Sequence, residues 1–298
     1  MNFLTLIARP NLDYASFGLR AEIGNDMPYA GSKDALFYRD VGKGHPILFI
    51  PGFGGVGSFW NCQIDFFKPA FRVITIDQRG AGASERSRQP YSIDQMTDDV
   101  QTVMDAAKID AATLVGHSTG GVIAQALVGR TPERFTGMLI SSTWSRPSNY
   151  FRRVFKFRRS LLEIGATDLF HKAGIFFRYP PAYAESHDGA FDNGGPVDSE
   201  ITIARIDAIL EADVSQATGN IKVPTLVVAA RDDCLIPQYM SQEVAQQIPN
   251  SKYIELDHGG HFLPETRSDE YNRLLDGFLR SLSPTSGRPA VSEQRPAL

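Results

Sequence analysis

From about residue 35 the chain repeats one pattern: a short run of aliphatic and β-branched residues that stops abruptly at glycine, proline, serine or aspartate. The run 47–50 (ILFI) meets Pro51-Gly52, 73–76 (VITI) meets Asp77, and 113–115 (TLV) meets Gly116. The run 138–140 (MLI) meets Ser141-Ser142, 225–228 (TLVV) precedes Arg231-Asp232-Asp233, and 253–256 (YIEL) meets Asp257-His258. Longer stretches with helical spacing lie between these runs. Strands that are apolar on both faces and alternate with helices predict a parallel sheet covered by helices on each side. In such sheets ligands bind beyond the carboxyl ends of the strands, where this chain places its polar residues.

The alternation fails between about residues 146 and 217, which show helical patterns, a Pro180-Pro181 stop and a Gly/Asp/Asn-rich segment from Asp188 to Gly195. This stretch is expected to be a helical cap inserted after the sixth strand. The expected organisation is an N-terminal arm with the first strand (1–34), a core in two parts (35–145 and 218–282) around the cap (146–217), and a Pro/Ser-rich disordered tail (283–298). No internal repeat is visible.

Composition narrows the class. With 42% apolar and 21% charged residues in 298, a sizeable core is available, and disorder or a small disulfide scaffold is excluded. Two cysteines cannot build a thiolate metal cage. A net charge of −4 argues against nucleic-acid binding, and no apolar run reaches membrane-spanning length. The start lacks a basic segment ahead of its apolar residues, so no signal peptide is read. A cytoplasmic monomer or homodimer acting on a small molecule is expected.

The sharpest chemical signal is Gly116-His117-Ser118-Thr119-Gly120-Gly121 between a strand and a helical run. A G-x-S-x-G at that junction makes a strained turn that presents the serine above the sheet, with a helix N-terminus beside it for developing negative charge. Serine needs a base, and the base needs an orienting acid. The loop after the last strand offers His258 and His261. His261 is preferred because two glycines precede it, and His258 is expected to pack the loop. Asp232 and Asp233 are the acid candidates, with Asp233 preferred. The order Ser118, Asp233, His261 is the one expected of this arrangement.

These residues resemble the α/β-hydrolase superfamily over roughly residues 35–145 and 218–282. Asp233 lies four residues before Pro237, Gly259-Gly260-His261 matches the histidine element, and the 77–84 stretch (DQRGAGAS) matches a loop that shapes the pocket. The resemblance implies an oxyanion hole from the N–H groups of Thr119 and of Phe53, which follows Gly52, although Pro51 stands where the family has histidine. It implies an acyl-enzyme mechanism with no metal or organic cofactor. Within the superfamily, Pro51 to Trp60 (PGFGGVGSFW), the 77–80 segment and the 152–162 helix resemble the aminoacrylate or carbamate hydrolases of pyrimidine-ring catabolism. The substrate implied is a small ester, lactone, carbamate or amide. The alternatives are a C–C bond hydrolase of aromatic-ring degradation, a non-catalytic ligand receptor on the same fold, and a cofactor-free oxygenase using only the His–Asp pair.

One stretch changes the charge picture. Residues 152–159 (RRVFKFRR) hold five positive charges in eight positions. On a helix Arg152, Arg153, Lys156 and Arg159 share one face, expected to be solvated, while Phe151, Val154, Phe155, Phe157, Leu161 and Leu162 fill the other. Arg158 falls inside the apolar face, either snorkelling or ion-paired, or as a binder of a substrate carboxylate.

Overall fold

A computed structural model describes residues 28–31, 35–86, 91–187 and 197–282. Most of the expected N-terminal arm, the Asp188 to Gly195 segment and the 283–298 tail lie outside them. The strands are β1 (Tyr29–Ala30), β2 (Leu36–Val41), β3 (Pro46–Ile50), β4 (Arg72–Ile76), β5 (Ala112–His117), β6 (Phe135–Ser141), β7 (Thr225–Ala230) and β8 (Ser251–Leu256). They form one sheet in the order β1-β2-β4-β3-β5-β6-β7-β8. The six apolar runs become β3 to β8, which are parallel to one another, whereas β2 pairs antiparallel with β4 and β1 antiparallel with β2 at one edge.

Successive residues of a strand point to opposite faces, so each central strand feeds two cores. Leu48, Ile50, Ile74, Leu114, Met138, Ile140 and Val227 face one. Ile47, Phe49, Val73, Val115, Leu139, Leu226 and Val228 face the other. Helices α1 (Asn61–Phe67), α10 (Leu263–Thr266) and α11 (Ser268–Leu282) cover the second face, through side chains such as Ile64, Phe67, Tyr271 and Leu275. Helices α2 (Ile93–Ala106), α3 (Thr119–Arg130) and α9 (Gln238–Gln247) cover the first.

Between β6 and β7 the described residues form five helices and no strand: α4 (Asn149–Glu163), α5 (Thr167–Arg178), α6 (Pro181–Ser186), α7 (Ser199–Glu211) and α8 (Ser215–Gly219). Helix α4 starts where the Ser148 hydroxyl accepts the Phe151 N–H at 3.2 Å. Helix α7 starts where Asp198 accepts the Ile201 N–H at 3.1 Å. Such caps replace backbone partners that the first turn lacks. These helices bury Phe151, Phe155, Ile206 and Ile209 in the same core that lines the first sheet face.

Two expectations for α4 need correction. Phe157 is 52% exposed, because it lies on the flank of the buried arc set by Phe151, Val154, Phe155 and Leu162. The basic face is only partly solvated: Arg152 donates to Leu210 O at 2.6 Å, and Arg159 pairs with Asp207 on α7 at 2.8 Å. Both cysteines are free and exposed. No helix among the described residues is long and apolar enough to cross a membrane.

Candidate active site

The turn from β5 into α3 is as tight as the glycine spacing requires. A Cβ on Gly116 would stand 2.5 Å from Gly120 O, and one on Gly120 would stand 2.2 Å from Ile50 O. Side chains at either position would force the helix off the sheet. Ser118, between them, has φ 54° and ψ −121°, a conformation non-glycine residues rarely adopt. Holding it costs of order 1–3 kcal/mol, and the packed turn around it supplies the constraint. Thr119 opens α3, so its N–H is among the four at a helix start with no partner inside the helix.

The loop after β3 crosses directly above. A Cβ on Gly52 would come within 3.1 Å of Ser118 Cβ. Gly55 N–H closes this loop onto Gly52 O at 2.9 Å, and Gln78 Nε2 donates to Pro51 O at 2.7 Å. Pro51 has no N–H to give, so the side chain of Gln78 anchors the loop through the carbonyl. The loop is also held from α7. Arg205 donates to Phe53 O at 2.9 Å, to Gln78 Oε1 at 2.6 Å and to Arg79 O at 2.8 Å. Burial pulls the Arg205 guanidinium down to about 10, which leaves it charged at neutral pH.

His261 and Asp233 meet as a buried pair. Nδ1 of His261 hydrogen-bonds Asp233 Oδ2 at 2.9 Å, and the residues are only 2% and 4% exposed. The other oxygen of Asp233 accepts the N–H groups of Leu235 and Ile236 at 2.9 and 2.8 Å. The His261 ring lies 4.8 Å from that of His117, immediately before Ser118. Among the described residues, no hydrogen bond joins Ser118 Oγ to His261; such bonds are often long before substrate binds.

The neighbouring candidates do other work. Asp232 accepts the N–H of Gly260 at 2.8 Å and of Gly259 at 3.3 Å, so it shapes the loop that carries His261. His258 is exposed and hydrogen-bonded to Arg267. Asp77 accepts the N–H groups of Gly57 and Ala83 at 2.7 and 2.8 Å, fixing the loops on either side, and burial raises its carboxyl above the usual range.

Sequence reasoning missed three features. Arg205 is one; its only signal was a charge near the end of a largely apolar stretch, 201–206 (ITIARI). The second is a chain beneath the turn, in which His117 Nδ1 lies 3.0 Å from Ser141 Oγ and Ser141 Oγ 3.1 Å from the Tyr271 hydroxyl. His117 is fully buried, and desolvation, with the nearby His261, lowers its pKa well below the ordinary value. The third is Arg178, at the end of α5, whose guanidinium carbon lies 5.5 Å from the Phe262 ring. Arg158, foreseen as a misfit on its helix, is buried against Phe53, Phe155 and Phe170.

An eight-stranded sheet of this order, a serine at a strained strand-to-helix turn and a His–Asp pair after the last strands define a hydrolase of the α/β type. Residues 47–274 match the family described as alpha/beta hydrolase, and the chain belongs to that family. A protein of Azorhizobium caulinodans named "Putative carbamate hydrolase RutD" is 35% identical over 260 residues, covering 85% of this chain and 98% of that protein. Its namesake in Variovorax paradoxus is 34% identical over 257 residues, covering 83% and 96%. The crystal structure of the enol-lactonase from Burkholderia xenovorans LB400 superposes with a TM-score of 0.79 at 29% identity, covering 85% of this chain and all of that one.

Proposed function

We propose that this hydrolase cleaves a small ester, lactone, carbamate or amide through an acyl-enzyme formed on Ser118. The observation that carries the reading is the buried Asp233–His261 pair packed beside the strained Ser118 turn. In this mechanism Nε2 of His261 takes the Ser118 proton as Oγ attacks the acyl carbon. Asp233, fixed by two backbone N–H groups, holds the imidazole with its free nitrogen toward the serine and stabilises the charged form. The N–H groups of Phe53 and Thr119 receive the oxyanion. His261 then returns the proton to the leaving oxygen or nitrogen, and the same base activates water to release the acid.

A carbamate and an enol-lactone, the groups in the relatives' names, each present an acyl carbon bonded to a heteroatom leaving group. That shared chemistry supports the substrate class. On this reading α4 to α8, within residues 146–217, form the cap that closes over Ser118. The two free cysteines agree with a reducing cytoplasmic setting.

Labelling with a fluorophosphonate, followed by peptide mapping, tests the assignment. Folded protein should carry the adduct on Ser118 and lose it in Ser118→Ala. Ester hydrolysis should fall by about 10⁴ to 10⁶ in that variant. Folded protein without an adduct on Ser118, or hydrolysis surviving Ser118→Ala, would overturn the mechanism.

A further inference from the structure

Three arginines among the described residues are almost completely buried: Arg79, Arg158 and Arg205. Two have acceptors. Arg79 forks onto the carboxylate of Asp99, with Nε to Oδ2 at 2.6 Å, and Arg205 donates to two carbonyls and to Gln78. Arg158 differs. It is 7% exposed and its Nε is buried without a partner; among the described residues its guanidinium makes no hydrogen bond or ion pair. The guanidinium carbon lies instead 4.7, 5.4 and 5.6 Å from the ring centres of Phe170, Phe155 and Phe53. Aromatic faces attract a cation but leave its five in-plane N–H donors unused. Nor does the side chain snorkel, since it occupies the middle of the buried face of α4.

Position gives this misfit a purpose. Phe53 belongs to the loop that crosses Ser118, so Arg158 packs on the wall next to the turn. Arg178, whose Nε donates to Gly174 O at 3.0 Å, lies over the ring of Phe262, the residue after His261, and its carbonyl accepts the Phe262 N–H at 3.0 Å. Burial first and then the charge of Arg178 pull Arg158 down to about 9, which still leaves it charged at neutral pH.

We infer that Arg158 is a carboxylate-binding subsite of the Ser118 site, so that the substrate carries a carboxylate close to its scissile acyl group. A carboxylate fits the planar guanidinium fork bidentately. A single negative charge also suits the aromatic wall better than a phosphate dianion, which asks for more donors than one fork supplies. For the scissile bond the inference rests on the hydrolase reading above; for anion binding it does not.

The test compares kcat/KM for p-nitrophenyl butyrate and mono-p-nitrophenyl succinate, alongside calorimetric titration with succinate. Wild-type protein, Arg158→Met and Arg158→Lys are measured, with melting curves to check folding. The wild type should prefer the anionic ester, and Arg158→Met should reduce the anionic-to-neutral ratio by about 10- to 100-fold. Arg158→Lys, keeping the charge but not the fork, should fall between. Succinate should bind the wild type and at least 10-fold more weakly to Arg158→Met. An unchanged ratio together with equal succinate binding by folded variants overturns the subsite and leaves Arg158 a packing residue. If the wild type cleaves neither ester and takes no label on Ser118, the hydrolase reading fails. The succinate titration then decides the arginine by itself.

Discussion

Strain and burial at single residues sit around Ser118. Its positive φ is held by contacts that leave no room for a Cβ on Gly116 or Gly120, and the residue before it, His117, is kept neutral by burial. A histidine whose folded pKa lies below its unfolded value of about 6.5 binds fewer protons folded than unfolded. Stability is therefore intact above that unfolded value and is lost as pH falls through and below it. The loss from this one group approaches about 1.4 kcal/mol per pH unit. His117→Gln, able to keep a hydrogen bond to Ser141, should be less sensitive: between pH 7.5 and 5.5 its urea-unfolding free energy should fall by about 1 kcal/mol less than that of the wild type. Equal losses in the two proteins would mean His117 is not the source. The same scale shows why sequence alone left two aspartates open. Asp232 and Asp233 are adjacent and chemically identical; only the local backbone turns one toward His261 and the other toward the N–H groups of Gly259 and Gly260.

Among elements, the informative contact is α7 on the loop after β3. Arg205 reaches from α7 to Phe53 O, Gln78 Oε1 and Arg79 O, so a helix from the β6–β7 insertion positions the loop that the proposed mechanism uses for its oxyanion. Arg205→Met leaves those acceptors without their cation. It should lower stability by about 2–3 kcal/mol in a denaturant titration and kcat by about 10²-fold, with a smaller change in KM. Arg205→Lys should restore part of kcat. A variant in which KM alone changes would make Arg205 a substrate contact rather than a positioning residue. Strands of this kind are legible in advance when both faces are buried, as in β3 to β7, because an unbroken apolar run has few other uses. Strand β2, next to the edge, with partly exposed, polar Arg39 and Asp40, resembles an ordinary surface segment until β4 is placed beside it.

For the whole molecule, α4, α5 and α7 pack into the core on the first sheet face rather than forming one of their own. Phe151 packs on Trp144 with ring centres 4.5 Å apart, and Thr218 on α8 donates to Gln125 Oε1 on α3 at 2.8 Å. A segment built into the core in this way is expected to unfold with it. Far-ultraviolet circular dichroism and tryptophan fluorescence should give coincident urea transitions. An early transition confined to helical signal would show that the inserted helices have separate stability.

The amino-acid sequence by itself determined the class of fold, the serine turn and the histidine that follows the last strand, because these depend on local rules: apolar runs of strand length, glycines where a Cβ cannot fit, and a fixed chain order. It also exposed Arg158 as a charge in an apolar helix face. Only the tertiary structure decided which aspartate meets His261, that Arg205 has three acceptors, and that Arg158 has none among the described residues. The physical reason is that satisfaction of a buried polar group depends on atoms contributed by segments far away in the chain, which no local pattern records.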